Sequence, residues 1–424
     1  MVYVLSKNGQ PVMPTEDYRK VRMLLNTGKA KVVRRVPFTI RLTGSSKTYV
    51  QPVTLGVDAG SKHVGLSACT EKAELFSAEL QPRNDVVKLL STRRELRRAR
   101  RNRKKRHRAP RFDNRVRSKH KGWLAPSVEV KIHNHIQAIG LVTKLLPISR
   151  IRVETAEFDT QRMKAYLEGK PLPEGEDYQH GEMYDEYNVR QYVLHRDNYT
   201  CQCCGASPTE KKPVKLHVHH LESRQTGGNA PNNLITLCLS CHKKLHAGLV
   251  ALPDNKRKRG HRLRDAAFMG IMRKTLIQRL RAKYDIPISE TCGYITKAIR
   301  EKYEIRKTHT SDARVIAGGA EAHRADTTYL MKPVRRHNRQ IHKAKILKGG
   351  VRKKNQAPKY VFGFRIFDMV QLSSGETGFI FGRRSSGSFD VRHLDGKRIS
   401  AGISCKKIYR LCRPSSLLCE QQTA

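Results

Sequence analysis

Four cysteines in two equally spaced pairs carry the most specific chemistry in the chain. Cys201 and Cys204 have two residues between them, and Cys238 and Cys241 repeat that spacing. Two such knuckles deliver four thiolates to one tetrahedral Zn2+, and a four-sulfur shell leaves no position for water, so this zinc is structural. Cys203 is a spare whose offset fits the paired knuckles less well. Histidines between and beyond the knuckles need a second explanation. Adjacent His219 and His220 fall on opposite faces of a strand, whereas His242 and His246 share one face of a helix. His219, His242 and His246 can then hold one divalent cation. His220 is left as a general base for a water attacking a phosphodiester, with the cation stabilising the pentavalent charge and the leaving oxygen. Asn233, in the loop GGNAPNNL, offers a carbonyl to accept the N–H of that imidazole.

A second constellation is acidic. Asp58 ends an apolar strand in LGVDAGSKHVG, Glu154 lies in the strand RIRVETAEF, and Asp312 opens a helix in HTSDARVIAGG, one turn after His309. A carboxylate at such a place needs a partner. Three acids at the ends of separate elements can converge on one sheet edge, where their repulsion is relieved by cations. A two-metal site is the natural physical account, with His309 as base for the attacking water. Gly318 and Gly319 are expected to let the helix lie close on the sheet.

The elements that must position these residues are legible in outline. VYVLSKNG is a short strand, a basic helix runs from about Tyr18 to Thr27, and a strand pair is expected around Gly28. Alternation and β-branched residues predict three strands between Val53 and Leu80, then a helix over Pro126–Leu146, a strand over Ser149–Phe158 and a small-residue helix over His309–Ala322. ISETCGYIT reads as a strand, and the segment from Tyr360 reads as hairpins of a small β-rich domain. Arg93 to Arg108 carries eleven Lys and Arg in sixteen residues, without Gly or Pro, and is expected to be a helix clamped by phosphates.

The 424 residues hold 84 Lys and Arg against 37 Asp and Glu, a formal charge of +47. Such an excess repels itself unless a polyanion lies against it, which points to nucleic acid and away from ordinary metabolic enzymes. No window reaches the ~18 apolar residues a membrane span needs, and MVYVLSKNGQPVMP lacks the form of a signal peptide. A cytoplasmic location is expected.

The histidine and asparagine set resembles the His-Asn-His (HNH) endonucleases, a ββα-metal fold. That resemblance implies His220 as base, Asn233 as its orienting residue, and His219 with His246 as ligands. The order of strand with Asp58, strand with Glu154 and helix with His309 and Asp312 resembles the ribonuclease H-like fold of the RuvC family. The whole chain is similar to the IscB family of transposon-associated, RNA-guided nucleases. PVMP at 11–14 resembles that family's leading motif, and VVRRVPFTIRL its RRXRR region.

The resemblance implies an α/β fold. A RuvC-like mixed sheet is split in sequence, with an inserted zinc-containing HNH domain, an Arg-rich bridge helix and a small β-rich C-terminal domain. The boundaries it implies are an N-terminal domain at 1–52, RuvC-like segments at 53–84, 122–165 and 256–325, the bridge helix at 85–121, and a linker at 166–188. The HNH domain falls at 189–255, a basic RNA-binding linker at 326–352, and a domain reading a target-adjacent motif at 353–424.

Two Mg2+ in the RuvC-like site, one divalent ion in the HNH site, one structural Zn2+ and a guide RNA are the implied cofactors. The partners are one long structured RNA (omega RNA) per protein and double-stranded DNA bearing a short flanking motif. The HNH site would cut the guide-paired strand and the RuvC-like site the displaced strand. Arg93, Arg94, Arg97, Arg98, Arg101 and Arg106 are expected on the RNA. Three rival functions share some of these residues: a junction resolvase, a protein-guided endonuclease, and an RNA-binding module with decayed sites.

Overall fold

A computed structural model describes residues 1–45, 49–103, 123–155, 169, 171, 188–209, 213–222, 228–253, 264–335 and 358–423. The chain forms two compact units, Met1–Ala156 with Met269–Ala424, and Glu157–Phe268. Among the described residues no helix is long and apolar enough to cross a membrane.

In the first unit, β1 (Tyr3–Leu5), β2 (Ala30–Arg34) and β3 (Thr39–Leu42) form a small sheet in the order β1-β3-β2. Helix α1 (Tyr18–Asn26) is capped by the Asp17 carboxylate, which accepts from the Lys20 N–H at 2.8 Å. Gly28, at φ +71°, ends this helix, and the strand pair closes over residues 35–38 rather than at Gly28.

The main sheet has seven strands. β4 (Val53–Asp58), β5 (Val64–Cys69) and β6 (Glu74–Leu80) form an antiparallel meander. β7 (Ile148–Glu154) runs parallel to β4, and β10 (Ile288–Thr291) runs parallel to β7. β11 (Thr327–Pro333) lies beyond β6 and is flanked by β17 (Leu417–Thr423). The strand order is β10-β7-β4-β5-β6-β11-β17. All six residues of β5 are buried, as expected of a strand covered on both faces.

Helix α2 (Val86–Arg103) follows the meander. Helix α3 (Pro126–Val142) buries Val128, Ile132, His135, Ile139 and Val142, one face at helical spacing. Helix α6 (Arg264–Lys283) precedes β10, and α7 (Gly293–Lys302) begins where ISETCGYIT was expected to continue as strand. Helix α8 (His309–Ile316) stops short of Ala322 because Gly318, at φ +87°, ends it.

Helix α8 is seated on the sheet by strand glycines. A Cβ at Gly56 would collide with the Ala313 carbonyl oxygen, and one at Gly65 with the His309 carbonyl oxygen. Of the expected pair, Gly319 bears out the close approach, because a Cβ there would lie 2.6 Å from Cys69 Sγ on β5, whereas Gly318 opens onto free space. Gly65→Ala should push α8 off the sheet, at a cost of about 1–3 kcal/mol. Equilibrium denaturant unfolding measures it, and an unchanged midpoint would refute the close packing.

Five antiparallel strands near the C-terminus form a separate sheet in the order β15-β14-β13-β12-β16: β12 (Met369–Leu372), β13 (Thr377–Arg383), β14 (Ser388–Arg392), β15 (Arg398–Ser404) and β16 (Ile408–Cys412). Val370, Leu372, Ile380, Phe389, Val391 and Ile408 form its core. The last strand, β17, leaves this sheet and joins the seven-stranded one.

The second unit is a ββα hairpin with a leading helix. Helix α4 (Val189–Arg196) is capped by Asn188. β8 (Leu216–His220) pairs antiparallel with β9 (Leu234–Cys238), and helix α5 (Leu239–His246) follows directly. Leu194, Cys201, Leu216, Ile235, Leu237, Cys238, Cys241 and Leu252 make a small core in which cysteines stand beside aliphatics.

Candidate functional site

Cys201, Cys204, Cys238 and Cys241 converge, each with its sulfur within 4.8 Å of the others. Zinc–sulfur bonds of about 2.3 Å set tetrahedral sulfurs about 3.8 Å apart, and the sulfurs of Cys204 and Cys238 are 3.8 Å apart. Cys238 caps α5 and accepts the Cys241 N–H at 3.4 Å. Burial opposes ionisation of Cys201, but backbone N–H groups of Cys204, Cys238 and Cys203 outweigh it and draw the thiol down to about 7. Cys203 packs against the core outside this set.

His219, His242 and His246 form a second set with ring nitrogens within 4.8 Å. The Nε2 atoms of His242 and His246 are 3.3 Å apart, the spacing of two imidazoles on one ion at about 2.0–2.1 Å. Burial, then the neighbouring His242 and His246, push His219 down to about 4, so it is neutral and free to ligate near pH 7. Strand alternation puts His220 on the other face, where its Nε2 lies 3.0 Å from Asn229 Oδ1. A carbonyl oxygen can only accept, so Nε2–H is the donor and Nδ1 is the nitrogen outside this bond.

The hydrogen bond expected of Asn233 is therefore made by Asn229. Asn233 is fully buried and spends its amide on the loop: Oδ1 accepts from the Glu222 N–H at 2.9 Å, and Nδ2 donates to the carbonyls of Glu222 and Gly228. It fixes the loop that carries Asn229 and acts on His220 only through it. Sequence reasoning also passed over His217, which shares a strand face with His219 and stacks on His242 at 5.4 Å.

In the first unit, the register sets the acids in one row. Asp58 is opposite Gly65, and Gly65 is opposite Glu79. Val57 pairs with Val153, so Glu154 follows alongside Asp58. His309 begins α8 behind the cap Thr308, and its Nδ1 lies 2.6 Å from Asp58 Oδ2. That hydrogen bond holds the His309 imidazolium above its ordinary range, against the opposing effect of burial.

Glu154 and Asp312 are both pushed up, first by burial and then by the charge on Asp58. Both carboxyls thus feel the charge on Asp58, and Glu154 also feels Asp312. Arg273 approaches Glu154 at 3.8 Å. Arg300 Nε lies 3.1 Å from Asp312 Oδ1, so that buried oxygen is ion-paired with Arg300 without a well-directed hydrogen bond. The three acids are more widely spread than the cysteine or histidine sets, and no group drawn from them closes within 4.8 Å among the described residues. Arg93, Arg94, Arg97 and Arg98 are exposed on α2. The side chain of Arg101 and the whole of Arg106 lie outside the described residues.

Residues 2–181 match the family model described as RRXRR protein, and residues 201–248 match that of the HNH endonuclease. The second unit therefore carries an HNH endonuclease domain, which supports catalytic nuclease activity. More particularly, the chain joins an RRXRR region to an HNH domain in one polypeptide. It is 33% identical over 66 residues to Anaredoxin of Nostoc sp. (strain PCC 7120 / SAG 25.82 / UTEX 2576), a match covering 15% of this chain and 80% of that protein. Over that stretch the two belong to one sequence family.

Two solved structures of Streptococcus thermophilus Cas9 are also similar. The complex with AGGA PAM is 12% identical with a TM-score of 0.30, and the complex with the AGAA PAM is 13% identical with a TM-score of 0.31. Each match covers 47% of this chain and 26% of the Cas9 chain, so the chain spans about a quarter of their length.

Proposed function

We propose that this chain is an RNA-guided endonuclease of the IscB type that cuts both strands of duplex DNA at two separate sites. The observation that carries the reading is the nesting of two differently built sites in one strongly basic chain. The HNH unit falls in sequence between the strand bearing Glu154 and the helix bearing Asp312. A guide RNA is the polyanion that answers the +47 charge.

In the HNH unit, His220 takes the proton of the attacking water at Nδ1 while Asn229 holds its Nε2–H. His219, His242 and His246 would hold a divalent ion, which supplies charge stabilisation at the phosphate and leaving oxygen. Cys201, Cys204, Cys238 and Cys241 would hold Zn2+, which supplies folding energy. In the RuvC-like site, Asp58, Glu154 and Asp312 would hold Mg2+. His309, oriented by Asp58, takes the water proton there. The HNH site cuts the guide-paired strand and the RuvC-like site the displaced one, with the segment from about residue 353 reading a short flanking motif.

The test is a guide exchange. The protein is co-expressed with a structured RNA carrying one of two guide sequences and offered both matching duplexes. Each complex should cut only its own duplex, and cutting that ignores the guide would refute the reading. On the same complex, Arg93, Arg94, Arg97 and Arg98 changed together to Gln should weaken RNA binding. The slope of log affinity against log salt should shrink by roughly 0.7–0.9 for each phosphate that is no longer neutralised. Filter binding across salt concentrations measures both, and unchanged values would remove α2 from the RNA surface.

A further inference from the structure

The row across the main sheet does not end at Asp58. Glu79 lies on the far side of Gly65, so two carboxylates flank a glycine whose missing side chain makes room for α8. Each carboxylate holds one imidazole. Asp58 Oδ2 is 2.6 Å from His309 Nδ1, and Glu79 Oε1 is 2.6 Å from His63 Nδ1. The two rings are parallel within 5°, with centroids 5.4 Å apart. Both are exposed on one edge, and neither Nε2 has a hydrogen-bond partner among the described residues.

We propose that His63 is a further catalytic residue of the carboxylate site, the general acid that protonates the leaving 3′ oxygen. The assignment rests on reading that site as a nuclease centre. Water attacks phosphorus as the P–O3′ bond breaks. His309 Nε2 accepts the proton released by the water, and His63 Nε2 donates one to the departing O3′. The two imidazoles exchange protons with solvent before the next turnover, so protons and electron pairs balance.

Three features support the role. Nδ1–H donation to Glu79 orients the ring and leaves Nε2 as the working atom, and the carboxylate balances the charge of the protonated ring. The turn carrying His63 is tethered, because the Ser61 carbonyl accepts from Lys131 Nζ at 2.6 Å and the Ala59 carbonyl from Arg273 Nε at 3.0 Å. Tethering holds the donor in place before substrate arrives. Finally, the pair has little structural work to do. An ion pair with 45% and 32% of its side chains exposed contributes little to stability, and His63 lies outside the ladder of β5 and β6.

The test uses the full chain with its guide RNA and a substrate whose scissile 3′ oxygen is replaced by sulfur. A thiolate leaves without a proton. His63→Ala should slow cutting of that strand by about 10²-fold or more with the oxygen substrate and leave the sulfur substrate near the wild-type rate. Glu79→Gln should give a smaller loss with the same rescue. Asp58→Ala should slow both substrates. Equal loss on both substrates in His63→Ala, or no loss on either, overturns the general-acid assignment while the site reading stands. Undiminished cutting in Asp58→Ala would instead refute the site reading itself. Cutting of the other strand by the HNH unit, measured in the same reaction, reports folding and binding.

Discussion

His220→Ala and Asp58→Ala should each turn a double-strand cutter into a nickase, on opposite strands. On the proposed reading His220 is the base of one site, and loss of a positioned base costs about 10²–10⁴-fold. His219 does not replace it, because it shares its set with His242 and His246 on the opposite strand face. Asp58 both belongs to the acidic row and lies 2.6 Å from His309, so on the proposed reading its removal would disable ligand and base together. Loss of its charge also lets Glu154 and Asp312 ionise more readily, since that charge helps push both up. Asp58→Asn keeps the volume and one acceptor for His309 and should fail as well, which separates charge from shape. Strand-specific end-labelled duplexes measure the outcome, and the double variant should bind without cutting. Loss of both cuts in His220→Ala, with binding intact, would refute two independent sites.

Cys238→Ser should abolish zinc binding and unfold the HNH unit while the seven-stranded sheet survives. Structural zinc contributes about 10–16 kcal/mol in small finger-like units. The aliphatic core here is Leu194, Leu216, Ile235, Leu237 and Leu252, with the cysteines between them. With so few aliphatic side chains in that core, the bound metal is expected to supply much of the unit's folding energy. Zinc should fall from one per chain to none by elemental analysis, and limited proteolysis should open the second unit first. Cutting of the guide-paired strand should vanish with it, since His219 and the α5 histidines ride on the same elements. Cys203→Ser is the control and should keep its zinc. Full zinc content in Cys238→Ser would refute the four-cysteine assignment.

The difference between Cys238 and Cys203 shows what spacing alone conveys. Ligands three apart in a knuckle or four apart on a helix are neighbours whatever the rest of the chain does, so both candidate metal sets were legible as local patterns. The same holds for the meander from Val53 to Leu80, where β-branched alternation and short turns leave few other pairings, and for the acids and the histidine placed at the ends of separate elements. Net charge, being a sum, needs no structure at all.

What tertiary structure decided lies between segments far apart in the chain. Asn229 and Asn233 stand in the same loop with the same side chain. Only the pairing of β8 with β9 puts one beside His220 and buries the other under the loop. Gly56 and Gly65 read as ordinary strand residues until α8, about 250 positions later, is laid against them. His63 and Glu79 acquire meaning from the register that sets Glu79 in line with Asp58, and β17 joins a sheet that no local pattern assigns to it. Register and packing are global solutions, because a strand chooses its neighbour by the whole apolar surface buried. Residue types and spacing therefore named the chemistry, and the fold chose the atoms that face one another.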